Sequence, residues 1–410
     1  MHQQELIPHL FRTEFAKINA VLIKYFGFKH IELAEDLTME TFAAALENWP
    51  YQGVPEQPRA WLYQVAKNKA KNLVARQEVF RNKIEKQWVS EQELSQTGEW
   101  SETFVLDQTL QMMFAICKPE IPAESQIGLA LRYLCGFGIE EISSALMVNI
   151  ETVNKRLFRA KQKLKSGNKT LEFPAEDLLV QRIDNVLLTL YLLFSEGYHS
   201  ENKEEVIRED LCFEAMQLTE QLLLHQKTNL PQVHALYALM CFQASRLKAR
   251  KSEEGTLILY QDQDVELWDQ YLIAKGVSHL HIASQGKLLS KYHLEASIAY
   301  WYTVAGERVE KWENILLLYN KLLVMQYSPL TALQRTFALS KVHGVRKAIV
   351  EAEKLDLSDN QFYHALLGYL YETVDPAMAE KNYIRARNLA KTQKEKSVLQ
   401  IHIDRLNNLH

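Results

Sequence analysis

The chain of 410 residues is predicted to be all-α, with two small helical domains, the second carrying a helix-turn-helix, followed by an irregular α-solenoid. Three observations predict this. Gly and Pro are scarce (14 and 10), and apolar residues recur at helical spacing over most of the chain. The stretch Leu129–Leu164, LALRYLCGFGIEEISSALMVNIETVNKRLFRAKQKL, reads as two short helices joined by a tight turn. From Leu178 onward, amphipathic segments follow one another with short breaks.

Residues 10–49 hold two or three helices, the last spanning Ala34–Trp49. The loop WPYQGVPEQP, Trp49–Pro58, interrupts them with three prolines and one glycine. A helix from Arg59 to about Arg81 follows, with Trp61, Leu62, Val65, Ala66 and Leu73 as its buried stripe. Its Lys67, Asn68, Lys69, Lys71, Asn72 and Arg76 are expected to face solvent. Residues 78–103 form a linker, most of it polar and acidic, and domain boundaries fall at 1–77, 78–103, 104–166 and 167–410. In the second domain Ile139, Ile142, Ala145 and Leu146 share a helix face, and Asn149 suits an N-cap because its side chain can accept from a free amide of the next turn. Val153, Leu157, Ala160 and Leu164 then form the docking side of the second helix. Glu151, Thr152, Lys155, Arg156, Arg159 and Lys163 occupy the other side. An apolar docking face opposite a basic face is what major-groove insertion requires; a helical hairpin with a solvated basic face gives the same pattern, and both remain open here.

The solenoid is expected to include helices at Leu178–Phe194, Val233–Leu247, Leu267–Ile282, Val309–Met325, Leu330–Val342 and Asn360–Tyr371. His364–Thr392, with Leu-Gly-Tyr followed by Ala, Tyr and Ala at helical spacing, is similar to a tetratricopeptide repeat, although no clean period runs through the region. Gly255–Tyr260, GTLILY, is a β-prone exception.

A formal net charge of -4 conceals a strong asymmetry. Residues 59–86 carry eight Lys or Arg against two Glu, and 151–169 carry seven against one. Two basic blocks separated by an acidic segment give two footprints for a phosphate backbone. No apolar run reaches the length of a membrane span and no signal-peptide pattern opens the chain. The four cysteines are scattered without a CxxC pair, as expected of reduced thiols in a cytoplasmic protein.

The first ~170 residues resemble the extracytoplasmic-function sigma factors of the sigma-70 family. AEDLTMETFAAALENWP (Ala34–Pro50) resembles the region-two helix that docks on the polymerase clamp, and AWLYQVAKNKAKNLVAR resembles the helix that melts the promoter and reads the minus-ten element. Residues 104–165 resemble region four, which reads the minus-thirty-five element. LYLLFSEGYHSE (Leu190–Glu201), ALMCFQASRLKAR (Ala238–Arg250), LILYQDQDVELWDQYLIAKG (Leu257–Gly276) and SPLTALQRTFALSKVHG (Ser328–Gly344) resemble the large tetratricopeptide-like C-terminal extension of one sigma-factor group. The resemblance implies two partners, RNA polymerase core enzyme and promoter DNA, with a third partner or small molecule for the extension. It implies that Glu35, Asp36, Glu40 and Phe42 contact or shape the clamp interface. It further implies that Trp61, Asn68, Lys69 and Lys71 meet the minus-ten region, and that Glu151, Thr152, Lys155, Arg156 and Arg159 face the minus-thirty-five groove, where Arg or Lys suits guanine edges and Thr a thymine methyl or phosphate. Met39 stands where Gln is common, Asn72 where Asp is frequent, and Leu73 and Ala75 where basic residues are usual, which bears on promoter sequence.

Two other classes fit part of the pattern: a helix-turn-helix transcriptional regulator with a solenoid sensor, and a helical scaffold. Enzymatic chemistry is not expected. His279 and His281 would lie about 200° apart on an ideal helix, so with His293 they read as core or solvated residues and not as metal ligands. Gln261–Asp269 lacks the Gly and terminal Glu of a calcium loop. Glu196-Gly197-Tyr198-His199 reads equally as a pocket wall or as a helix stop. No P-loop, nucleophile elbow or HExxH occurs, and no cofactor is expected.

Overall fold

A computed structural model of the chain describes residues 3–80, 100–146, 148–167, 171–198, 209–250, 258, 260–306, 308–390 and 393–407. The described residues are helical, with short 3-10 turns and no strand. The chain divides into two compact units, Met1–Leu193 with Glu220–Thr228, and Phe194–Thr219 with Asn229–His410.

The first unit begins with α1 (Gln3–Phe26), α2 (Ile31–Gln52) and α3 (Pro58–Phe80). Gly27 (φ +76°) ends α1 by donating its amide to Ile23 O at 2.8 Å. The helix predicted to stop at Trp49 continues to Gln52 with Pro50 inside it. It stops at Gly53, whose φ of +84° only glycine adopts without strain and whose amide reaches Trp49 O at 3.0 Å. Phe15, Ile18, Leu22, Ile23, Phe28, Ile31 and Leu62 are fully buried between these helices. The carboxylate of Glu14, also fully buried, accepts from Tyr63 Oη at 2.5 Å and Lys17 Nζ at 3.0 Å and lies 3.2 Å from Arg59 Nε. This ties α1 to α3.

The α3 stripe differs from the expected one by a slight rotation. Leu62, Ala66, Ala70 and Val74 are buried, while Trp61, Val65 and Leu73 are half-buried, and Lys67 turns inward. The i, i+4 series through Leu62 places Lys67 beside Ala66 and Ala70 on the buried side, where its aliphatic stem packs. Asn68 and Asn72 are exposed as expected.

Most of the expected linker, 81–99, lies outside the described residues. At its end, Trp100 is buried with its ring 6.4 Å from that of Tyr25, and Ser101 caps α4 (Glu102–Ile116) by accepting from Phe104 N at 3.2 Å. α5 (Ala123–Tyr133), α6 (Ile139–Leu146) and α7 (Ile150–Gly167) complete the second helical module, and α1 packs against α4 and α5. α8 (Glu176–Tyr198) and α9 (Glu209–Leu224) follow. Gln126 Oε1 accepts from Thr189 Oγ1 at 2.7 Å, joining α5 to α8. Glu196, Gly197 and Tyr198 lie in the last described turn of α8, and His199 lies outside the described residues.

In the second unit α10 (Pro231–Ala244), α11 (Gln270–Ser284), α12 (Lys291–Thr303), α13 (Val309–Met325), α14 (Pro329–His343), α15 (Val345–Glu353), α16 (Gln361–Tyr371), α17 (Pro376–Leu389) and α18 (Gln393–Asn407) pack largely as successive neighbours, the arrangement of a solenoid. The predicted segment at Asn360 is resolved as an N-cap, its Oδ1 accepting from Phe362 N at 2.8 Å and Tyr363 N at 3.2 Å. Of GTLILY, only Ile258 and Tyr260 are described. Ile258 N donates to Arg250 O at 2.8 Å, and Tyr260 opens a 3-10 turn.

The Leu-Gly-Tyr signature has a packing cause. A Cβ at Gly368 would stand 2.7 Å from the ring of Tyr383, and Ala379 and Ala386 are fully buried around it. Small residues let α16 and α17 approach closely. Gly368→Ala is therefore expected to lower stability by about 1–3 kcal/mol, despite the better helix propensity of Ala, because the Tyr383 ring must move. A shift of the urea midpoint to lower concentration checks this; an unchanged or raised midpoint contradicts it.

Cys117, Cys135, Cys212 and Cys241 are buried and unbridged. Burial pushes the thiols of Cys117 and Cys212 up to about 12, so neither supplies thiolate near neutrality. Native protein at pH 8 is expected to leave all four unreacted with a thiol-exchange dye and to release four equivalents in denaturant.

Candidate nucleic-acid interface

The helix-turn-helix forms from the residues that mark it in the sequence. Asn149 Oδ1 accepts from Thr152 N at 2.7 Å, setting the start of α7. Val153, Leu157, Ala160 and Leu164 are buried on one side, and α7 packs against α5 and α6. Gly138 N donates to Glu141 Oε2 at 2.6 Å at the start of α6. On the free side Glu151, Lys155 and Arg159 are exposed, and Thr152 and Arg156 are half-exposed. Two of the basic groups have internal partners, Lys155 with Glu151 at 2.6 Å and Arg156 with Glu124 of α5 at 3.1 Å. Both pairs are solvent-accessible and weak enough to exchange for a phosphate. Phe158 lies on the same face with 63% of its surface exposed. Sequence reasoning passed over it as an apolar residue, although its position one turn beyond Lys155 and next to Arg159 marks the face it shares.

The other predicted site residues divide. On α2, Asp36 and Glu40 point outward and share their face with exposed Met39, Ala43, Leu46 and Glu47. Glu35 and Phe42 point inward. Phe42 is 3% exposed, its ring 5.0 Å from Phe11 of α1, so its part in the site is to shape α2 from beneath. Glu35 is 8% exposed and enclosed by cations of the second module. Arg132 Nη2 donates to its Oε1, Tyr133 Oη donates to its Oε2 at 3.3 Å, and Lys161 Nζ lies 3.7 Å from the same oxygen. One turn earlier Glu32 accepts from Lys165 Nζ at 2.9 Å. Burial holds the Arg132 and Lys161 side chains below their ordinary pKa values. Burial opposes the charge of Glu32, yet Lys165 beside it holds its carboxyl below the usual value.

On α3, Trp61 is half-buried and meets Trp49 edge-on, their ring centres 5.4 Å apart. Asn68 is exposed and accepts from Gln64 Nε2 at 2.9 Å. Lys69 pairs with Glu40 of α2 at 3.1 Å, and Lys71 is half-exposed. The outer face of α2 and the basic face of α3 thus meet at one ion pair.

A second cluster was not anticipated from sequence. In the second unit Arg250 stacks 3.7 Å from the ring centre of Tyr198 and donates to Tyr198 O at 3.3 Å. Arg246 donates to Tyr198 Oη at 3.3 Å and lies over Tyr260 and Tyr302. Lys311, 1% exposed, donates to Tyr260 Oη at 2.6 Å and Val304 O at 2.7 Å. The three segments Leu190–Glu201, Ala238–Arg250 and Leu257–Gly276, through Tyr198, Arg246, Arg250 and Tyr260, therefore converge on a buried cation–aromatic core. His279, taken as core or solvated, stacks on His234 with Nδ1 atoms 2.8 Å apart. Among the described residues no group of three or more metal-ligating side chains occurs, and no helix is long and apolar enough to cross a membrane.

Comparison with known proteins agrees with this geometry. Residues 14–79 match the model of Sigma-70 region 2, residues 119–164 that of Sigma-70 region 4, and residues 182–284 a family of unknown function (DUF6596). An uncharacterised protein of Rhizobium meliloti (strain 1021) is 32% identical over 393 residues, covering 94% of this chain and 92% of the relative. No solved structure matches. The region-two match covers α2 and α3, and the region-four match covers α5, α6 and most of α7, which includes the helix-turn-helix. The chain belongs to the sigma-70 family, as a sigma factor of the extracytoplasmic-function type with a helical C-terminal extension.

Proposed function

We propose that this sigma factor directs promoter-specific initiation by binding core polymerase and reading the minus-ten and minus-thirty-five elements, with the C-terminal extension modulating that activity. The observation that carries it is the presence, in one chain, of a region-two match whose α2 exposes an acidic and apolar face and a region-four match whose α7 exposes a basic one. Asp36 and Glu40, beside Met39 and Leu46, form the polymerase-facing surface, with Glu35 and Phe42 shaping it. Acidic groups there complement a basic clamp. Trp61 is placed to stack on an unpaired base, with Asn68, Lys69 and Lys71 along the backbone. Glu151, Thr152, Lys155, Arg156 and Arg159 face the minus-thirty-five groove, and Phe158 offers apolar surface to a thymine methyl.

The test is co-purification with core polymerase followed by initiation from a defined promoter in a reconstituted reaction. Binding and promoter-dependent transcripts support the reading. Tight binding to duplex DNA alone at moderate salt, with no core binding, supports a free-standing helix-turn-helix regulator instead. Binding to neither is the result expected of a scaffold.

A further inference from the structure

We propose that the C-terminal extension carries a DNA contact of its own: the basic groove between α17 and α18 binds the phosphate backbone of duplex DNA, without regard to sequence. This goes beyond the two promoter-reading modules and holds or fails without polymerase. Residues 381–396 carry six Lys or Arg against one Glu, whereas the rest of 171–410 carries 20 against 30 acids. A positive block on an otherwise acidic domain is the electrostatic footprint of a polyanion partner.

Helix geometry gathers that block onto one surface. Lys381, Arg385 and Asn388 are exposed on α17 at i, i+4 and i+7, a row about 10 Å long. In the last turn of α17, Arg387 and Asn388 meet Gln393, Lys396, Ser397 and Gln400 of α18 around a groove of about 450 Å³. Arg387 donates to Gln400 Oε1, and Arg385 Nη2 donates to Ser358 O at 3.3 Å. Among the described residues, none of Lys381, Arg385, Arg387 and Lys396 makes an ion pair, whereas Arg335 and Lys354 close on Glu351 and Arg405 on Glu372. The acids of α18 beside the groove are engaged: Glu395 accepts from Gln361 Nε2 at 2.9 Å and Asp404 from Gln400 Nε2 at 2.7 Å. Glu380 of α17 does not line it.

The chemistry of the groove selects the occupant. Every lining side chain can donate a hydrogen bond, two are cations and none is apolar. Small-molecule sites are mostly apolar, and protein interfaces have an apolar, aromatic centre. Arg, Lys, Asn, Gln and Ser are instead the side chains that contact phosphate oxygens. A duplex carries one charge per about 1.7 Å of axis, so a row about 10 Å long faces several phosphates at once.

The test is fluorescence anisotropy of the full chain with a labelled duplex of arbitrary sequence, between about 50 and 200 mM salt. Lys381→Gln, Arg385→Gln and Lys396→Gln together are expected to weaken binding at about 100 mM salt at least ten-fold. They should also lower the slope of log K against log salt by about two to three, because each phosphate contact contributes about 0.9. Lys381→Gln alone, on an exposed helix surface, should lower it by about one. The same drop is expected in a Lys155→Ala, Arg159→Ala background, which separates this contact from that of α7. Unchanged affinity and slope overturn the proposal. Equal affinity for poly-glutamate, lost in the same variants, assigns the groove to an acidic protein and overturns the DNA assignment. Because no arm contains polymerase, failure of core binding refutes the sigma-factor reading and leaves this contact standing, and the converse also holds.

Discussion

Replacing Lys155 and Arg159 together by alanine is expected to abolish minus-thirty-five-dependent initiation while leaving core binding intact. Both side chains are exposed on the free face of α7, and neither supports the packing made by Val153, Leu157, Ala160 and Leu164. Each good base or phosphate contact is worth about 1–3 kcal/mol, so two lost together reduce promoter affinity by roughly 10²–10⁴-fold if independent. Residues three and four apart on a helix are neighbours, so part of this will be non-additive. Run-off transcription from matched promoters with and without the minus-thirty-five element checks the result, and the single variants separate the roles. Loss of a phosphate contact weakens all sequences alike and lowers the salt slope by about one, whereas loss of a base contact relaxes discrimination at one position. Undiminished initiation by the double variant would show that α7 does not carry the DNA contact. Phe158→Ala adds a third comparison, since its effect should be confined to promoters bearing a thymine opposite it.

The helical class and the helix-turn-helix were legible because they depend on local spacing. Asn149 and the 153–157–160–164 series are short-range features, and the structure realises each of them. The direction of individual charged residues was less legible. Glu35 and Asp36 are adjacent acids in sequence, yet one is buried against Arg132 and the other exposed, because a 100° step on α2 separates the face toward α5 and α7 from the outer face. Lys67 is inward for a related reason: its long stem tolerates a position that pattern reasoning reserves for apolar side chains. The cation–aromatic core of the extension was illegible. Tyr198, Arg246, Tyr260 and Lys311 are spread over more than a hundred residues, and no periodicity links them; only packing of the second unit brings them together.

Glu14→Ala should destabilise the first unit by about 1–3 kcal/mol. The carboxylate is fully buried, and its removal takes the acceptor from Tyr63 Oη, whose ring centre lies 6.0 Å from that of Trp100, while Arg59 and Lys17, both partly exposed, turn to water. No buried charge is left behind, so the cost is that of a partly buried hydroxyl losing its acceptor. Glu14→Gln retains the shape and one acceptor and should cost less, and Tyr63→Phe removes the donor that suffers most. A double-mutant cycle built from Glu14→Gln and Tyr63→Phe therefore isolates the Glu14–Tyr63 coupling, expected at about 1–3 kcal/mol. The same pair sets a pH signature. Burial raises the Tyr63 hydroxyl well above its ordinary 10.0, and the Glu14 carboxylate adds to the shift by repelling a phenolate. Because the folded state favours the neutral phenol, its contribution to stability is complete below pH 10 and declines as pH climbs beyond that value, where the unfolded tyrosine loses its proton and the folded one does not. Urea midpoints followed by hydrogen exchange in α1 and α3 should fall more steeply above pH 10 for the natural chain than for Tyr63→Phe. Parallel slopes for the two would mean that other tyrosines carry the alkaline transition and that the Glu14 pocket does not sense it.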